Sequence, residues 1–168
     1  MEEVYSKIGS IPTGSAPDSI VEGCLVLEGG AFRGLYTQGV LDAWMQRGVN
    51  FRCTLGVSAG ALAGVSYCSG QIGRSARANL AHRHDKDYIG PGALRKSKSL
   101  IRLDFLIDDY NEMEPLDEER FNDPRRRLLV ETTDCRTGEP LFWERGKCDI
   151  FTAAKASASM PFVTPMVE

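Results

Sequence analysis

Histidine is scarce in this chain of 168 residues: there are two, His82 and His84. Two positions apart, they would face different directions on a helix. A serine triad in the order Ser, acid, His would need an acid upstream of them, yet no Asp or Glu lies between Ala43 and His84. A histidine-based triad is therefore excluded. So is a His-x-His metal site, since no cysteine or carboxylate stands at ligand spacing. The five cysteines (Cys24, Cys53, Cys68, Cys135, Cys148) are odd in number, widely spaced and without a C-x-x-C pair. That pattern excludes a disulfide framework and fits reduced thiols of a cytosolic compartment. A net charge of −3 gives no basic excess for a dedicated nucleic-acid binder. No apolar run approaches the roughly 20 residues that span a bilayer. The N-terminus, MEEVYSKIGSIPTGSAPDS, is acidic then polar and not a secretory signal. Contact with lipid would have to be peripheral.

What is present reads as one α/β domain behind an irregular lead-in. Residues 1–20 are rich in Gly, Ser and Pro and carry no periodicity. "GCLVLEGG" is a short apolar run ending in glycines, expected as a buried parallel strand entering a tight turn. Helical spacing of Leu35, Tyr36, Val40, Ala43 and Trp44 predicts a helix that stops near Gly48. "FRCTLGV" predicts a second strand, and Ala59–Ser69 a helix of small residues; strand, helix, strand, helix implies a parallel sheet. Further on, Gly73–Asp85 is expected to be helical, and "KDYIGPGALRKSKS" a polar loop. Its cations Arg95, Lys96 and Lys98, with Arg102, read as solvated rather than as a lipid-headgroup patch. "LDEERFNDP" predicts a short helix stopped by Pro124. "RRRLLVETTD" and "EPLFWER" predict a hairpin around Gly138, with Arg125–Arg127 a solvated strand entrance. A last helix is expected from Asp149 to Met160, ended by Pro161.

Two turns follow the two strands. The second is G-x-S-x-G: Gly56-Val57-Ser58-Ala59-Gly60. A serine at a sharp strand-to-helix turn has strained backbone angles, and glycines two before and two after avoid collisions across it. The N–H groups and positive dipole end of the following helix can stabilise an oxyanion. A small-residue helix packed on a sheet would give the same letters, so the motif alone leaves both readings open. The first turn, Gly29-Gly30-Ala31-Phe32-Arg33-Gly34, can aim several backbone N–H groups at one anionic oxygen. It also looks like a dinucleotide fingerprint, but that requires an acidic residue about 20 positions on. The acid-free stretch up to His84 defeats the nucleotide reading.

In order and spacing, "LVLEGGAFRGLYTQGVLDAW", "LGVSAGALAGVSYCSGQIGR" and "AAKASASMPFVTP" resemble the patatin-like phospholipases, and specifically their bacterial branch. The resemblance covers about residues 23–165. It implies a three-layer α/β/α fold with a mostly parallel central sheet, hydrolysing lipid acyl esters with a Ser–Asp dyad and no histidine, metal or cofactor. Ser58 would be the nucleophile, Gly56 and Gly60 the glycines of its elbow, and Gly29, Gly30, Ala31, Phe32, Arg33 and Gly34 the oxyanion loop. The implied partner is a lipid or acyl-ester substrate, met in the cytoplasm or at a membrane surface.

The chain departs from the family pattern twice. Ala31 replaces the third glycine of Gly-Gly-Gly, which a φ < 0 backbone would accept and a φ > 0 backbone would resist. The family's aspartate, in Asp-Gly-Gly or Asp-Gly-Ala after the Ser157-Ala158-Ser159-Met160-Pro161 block, has no counterpart among the aspartates present. Asp134 and Asp149 are expected to cap a turn and a helix. Residues 21–168 are thus expected to be the N-terminal portion of a longer hydrolase domain whose C-terminal part, with the dyad aspartate, is missing. The alternative is a non-catalytic module that holds acyl chains or regulates a partner.

Overall fold

The structure, a computed structural model, describes residues 8–161, 163–164 and 166–167. The first seven residues of the lead-in, the side chain of Lys96, and Phe162 and Pro165 of the third block lie outside the described residues. From residue 8 to 20 the lead-in holds a short 3-10 turn (Ile8–Ser10) and a single bridge from Ser15 to Gln71.

Four strands form one sheet in the order β1 (Val21–Leu27), β2 (Phe51–Val57), β3 (Arg127–Thr133), β4 (Pro140–Glu144). β1 and β2 are parallel, β2 and β3 are parallel, and β3 and β4 form the expected antiparallel hairpin. Gly138 sits at φ +76 in its turn, held by Gly138 N–H donating to the Asp134 carbonyl at 2.7 Å. Asp134 Oδ1 accepts from the Arg136 amide at 2.8 Å, the turn cap expected of it.

Helix α1 (Gly34–Gln46) buries Gly34, Gln38, Leu41, Asp42 and Met45, one stripe at helical spacing. It stops where Gly48 turns left-handed at φ +72 and its N–H reaches the Met45 carbonyl. Helix α2 (Ala59–Cys68) is buried over most of its circumference, as befits the central helix. Its small residues let it lie close to the sheet: a Cβ on Gly64 would stand 3.0 Å from Leu128 Cδ1. Helix α7 (Ile150–Ala158) starts at Asp149, whose Oδ1 accepts from the amides of Phe151 and Thr152, and buries Ile150, Ala153, Ala154 and Ala158. Between them run α3 (Arg74–His82), α4 (Pro91–Ser97), a π turn (Phe105–Asp109), α5 (Tyr110–Met113) and α6 (Glu118–Phe121).

The α/β architecture with a mostly parallel sheet is as expected. Of the three layers that the resemblance implies, the described residues supply the sheet and one helical layer. Thr54, Leu128 and Val130 point into that layer and are fully buried. Alternate residues point the other way, and there Cys24 is exposed, Val26 is 66% exposed, and the sulfurs of Cys24 and Cys53 lie 3.1 Å apart.

Three expectations need correction. β1 is not a buried strand but an edge strand whose second face is open. "KDYIGPGALRKSKS" is not all loop, because Pro91 opens α4 at the helix position where proline is tolerated. The Arg125–Arg127 run is not uniformly solvated. Arg125 and Arg127 are exposed, but strand alternation turns Arg126 inward, where it is 2% exposed.

Candidate active site

The site lies where the C-terminal ends of β1 and β2 meet the first turn of α2. Ser58 stands between β2 and α2 with φ 54 and ψ −120, a region that a non-glycine residue holds only when its surroundings impose it. The surroundings here are four close approaches, each permitted by a glycine. A Cβ on Gly56 would stand 2.6 Å from Ala61 Cα, and one on Gly60 would stand 2.3 Å from the Leu27 carbonyl oxygen. Any side chain at either position would force backbone apart. Gly29 presses on the serine itself: its Cβ position is 3.0 Å from Ser58 Cβ and 3.7 Å from Ser58 Oγ. Gly34 likewise lies against Ala59, at 3.1 Å. The two turns are interlocked rather than merely neighbouring.

The loop Gly29–Gly34 tightens into a 3-10 turn over Ala31–Arg33, with the Arg33 amide donating to the Gly30 carbonyl at 2.9 Å. Ala31 sits at φ +47, in the left-handed region that an L side chain enters at a cost of about 1–2 kcal/mol. The alanine is therefore at a position that resists it. Phe32, Arg33 and Tyr36 are exposed beside the turn, with Tyr36 at 82%.

Ser157 is a participant whose role went unread in the sequence. Its Oγ accepts a hydrogen bond from the Ser58 amide at 2.7 Å, joining residues 99 positions apart. Helix α7 thereby holds the strained turn through its backbone amide. The N–H groups of the first turn of a helix have no partner within it, so the N-terminus of α2 presents donors where Ser58 begins.

The remaining candidates fall outside this site. His82 packs against Phe105 and edge-on against Tyr110, with ring centroids at 5.1 and 5.7 Å, and His84 is exposed. Among the described residues no cluster of His, Cys, Asp or Glu could hold a metal ion, and no helix is long and apolar enough to cross a membrane. Asp149 is engaged at its cap. Its Oδ2 accepts from Thr152 Oγ1 at 2.6 Å, and that bond, with those from the Thr152 and Phe151 amides, holds its carboxyl below the ordinary value. Arg102 pairs with Asp109 instead of standing free in a cationic patch.

Comparison with known proteins relates the chain to a family and to a curated protein. A family model described as "Patatin-like phospholipase" matches residues 25–168. The Escherichia coli (strain K12) protein named "Uncharacterized protein YjjU" is 33% identical over 93 residues, which are 55% of this chain and 26% of that protein. The matched stretch thus spans about a quarter of the length of this curated relative.

Proposed function

This chain belongs to the patatin-like phospholipase family, and on that premise we propose that it carries the nucleophile and oxyanion loop of a serine hydrolase acting on lipid acyl esters. The observation that carries the reading is the interlock: Ser58 at φ 54 with Gly29 pressed against it, at the N-terminus of α2. Ser58 Oγ attacks the acyl carbonyl carbon, and the amides of Gly29–Ala31 take the negative charge that develops on its oxygen. The alcohol leaves with the proton that Ser58 gave up, and water then releases the fatty acid from the acyl-serine. Ser157 is a positioning residue, holding the elbow through the Ser58 amide. The exposed Phe32 and Tyr36 beside the turn suit contact with a lipid surface at the membrane's edge.

The proton from Ser58 needs a base, and a Ser–Asp dyad is the reading that the absence of a usable histidine favours. Asp134 and Asp149 are committed to caps, and no aspartate of the chain precedes Gly-Gly or Gly-Ala. We therefore assign the base to residues outside these 168 and expect the isolated chain to be weakly active at most. A fluorophosphonate probe tests this on the chain, on Ser58→Ala, and on a C-terminally extended chain from the same gene. The extended chain should label and cleave a p-nitrophenyl ester, and Ser58→Ala should do neither. An extended chain that neither labels nor hydrolyses would sink the hydrolase reading in favour of a non-catalytic acyl-binding module.

A further inference from the structure

The opposite end of α2 carries a different arrangement of groups. Arg126, immediately before β3, is 2% exposed, and its Nε and Nη2 are buried without a hydrogen-bond partner among the described residues. Arg120 Nη1, from α6, and Arg145 Nη1, following β4, are buried and unpartnered as well. All three border the C-terminal end of α2, at residues 68–70. Arg120 Nη1 lies 2.7 Å from where a Cβ on Gly70 would be, and the charges of Arg126 and Arg145 both bear on the buried Cys68 thiol. Arg145 is fixed in place: its Nη2 donates to the Asp123 carbonyl at 2.9 Å and to the Arg126 carbonyl, and its guanidinium stacks on Phe121 at 5.0 Å.

Counter-charge is short. Asp123 is the carboxylate that bears on both Arg126 and Arg145, but its oxygens accept from the backbone amide, Nε and Nη2 of Arg125. Tyr67 is committed too, donating to the Val49 carbonyl and accepting from the Phe51 amide. The negative end of the α2 dipole amounts to about half an elementary charge, less than the desolvation of even one unpaired ion requires. Burial lowers the pKa of Arg126, and the neighbouring Arg120 charge lowers it further; burial does the same to Arg145.

We propose that Arg120, Arg126 and Arg145 form a binding site for a small inorganic anion at the C-terminal end of α2. The anion would accept from the four unpartnered nitrogens and neutralise part of three positive charges at once. It would staple α6, the start of β3 and the end of β4 to the foot of the central helix. This site lies at the far end of α2 from Ser58 and stands independently of the hydrolase reading.

The experiment uses the 168-residue chain, exchanged into gluconate at constant ionic strength and titrated with chloride or with phosphate. Thermal unfolding and 35Cl NMR line width are followed in parallel. The expected result is a saturable rise in Tm with one or both anions, about 5 °C or more near saturation. Excess 35Cl broadening should accompany it if chloride binds, and phosphate should remove that broadening if it competes. Arg126→Met should weaken the apparent affinity at least tenfold, and Arg136→Gln, on the exposed hairpin turn, should leave it unchanged. If Arg126→Met does not fold, Arg120→Gln carries the same expectation from the partly exposed rim. A Tm and line width that follow ionic strength alone, or a folded Arg126→Met or Arg120→Gln that titrates like wild type, would overturn the site.

Discussion

The two ends of helix α2 are built on opposite principles. At its N-terminus side chains are removed: Gly56 and Gly60 let backbone meet backbone, and Gly29 and Gly34 let backbone meet the Cβ atoms of Ser58 and Ala59. At its C-terminus large cationic side chains are packed in, with Arg126 among the most buried residues of the protein. The first arrangement holds one strained serine by steric necessity and tolerates almost no added atom. The second leaves donors without acceptors and invites a ligand. One helix thus joins a rigid, backbone-built site to a side-chain-built one, and the two should respond very differently to change.

The largest difference is expected from adding a single methyl group at each end. Gly60→Ala would drive a Cβ into the Leu27 and Glu28 carbonyls, at 2.3 and 2.7 Å. Backbone on both sides cannot yield, so a loss of about 3 kcal/mol or more is expected in urea unfolding. Gly70→Ala makes its closest clash, at 2.7 Å, with the flexible tip of Arg120, so the strain of φ +69 should dominate. That amounts to about 1 kcal/mol. Equal losses at the two positions would break the contrast.

Next in size is the support of the serine turn from the side. Ser157→Ala leaves the Ser58 amide without its acceptor and should cost about 1–2 kcal/mol. In an extended, active chain it should also slow fluorophosphonate labelling without abolishing it. Labelling at the wild-type rate would show that Gly29 and Gly60 hold the turn unaided.

The anchor of α7 gives the pH-dependent member of the series. The hydrogen bonds to Asp149 hold its carboxyl below its ordinary pKa of 3.8. Its contribution should therefore be complete above that value and vanish as pH falls through the lower, folded-state value. Asp149→Ala should cost about 1 kcal/mol at pH 7, and the gap from wild type should close in strong acid. A gap independent of pH would show that the carboxylate is not the cap.

The smallest effect is a gain. Ala31→Gly relieves the strain of φ +47 but adds freedom to the unfolded chain, for a net stabilisation of about 0.5 kcal/mol. A loss instead would mean that the Ala31 methyl makes a contact of its own.

Legibility in the sequence followed the same division. The glycine spacing around Ser58 could be read because steric exclusion acts over two or three residues and leaves a local pattern. The strands and the principal helices were legible for the same reason, as were the caps at Asp134 and Asp149. Ser157 stands in a block of small residues, and nothing local says that its hydroxyl meets an amide 99 residues away. Arg126 was obscured by its neighbours in a run of three arginines, and only strand alternation, placed against α2, turns it inward. The open face of β1 was missed because a short apolar run is the same whether one face or both are covered.

By itself the sequence determined the alternation of strands and helices and the pairing of two glycine turns with a serine. Each of these follows from forces within a few residues: periodic burial, capping and backbone sterics. Only the tertiary structure decided that Gly29 presses on Ser58, that α7 lends Ser157 to the turn, and that Arg120, Arg126 and Arg145 gather at the C-terminal end of α2. Those depend on contacts between residues far apart in the chain, whose geometry exists only once α2 is seated on the sheet.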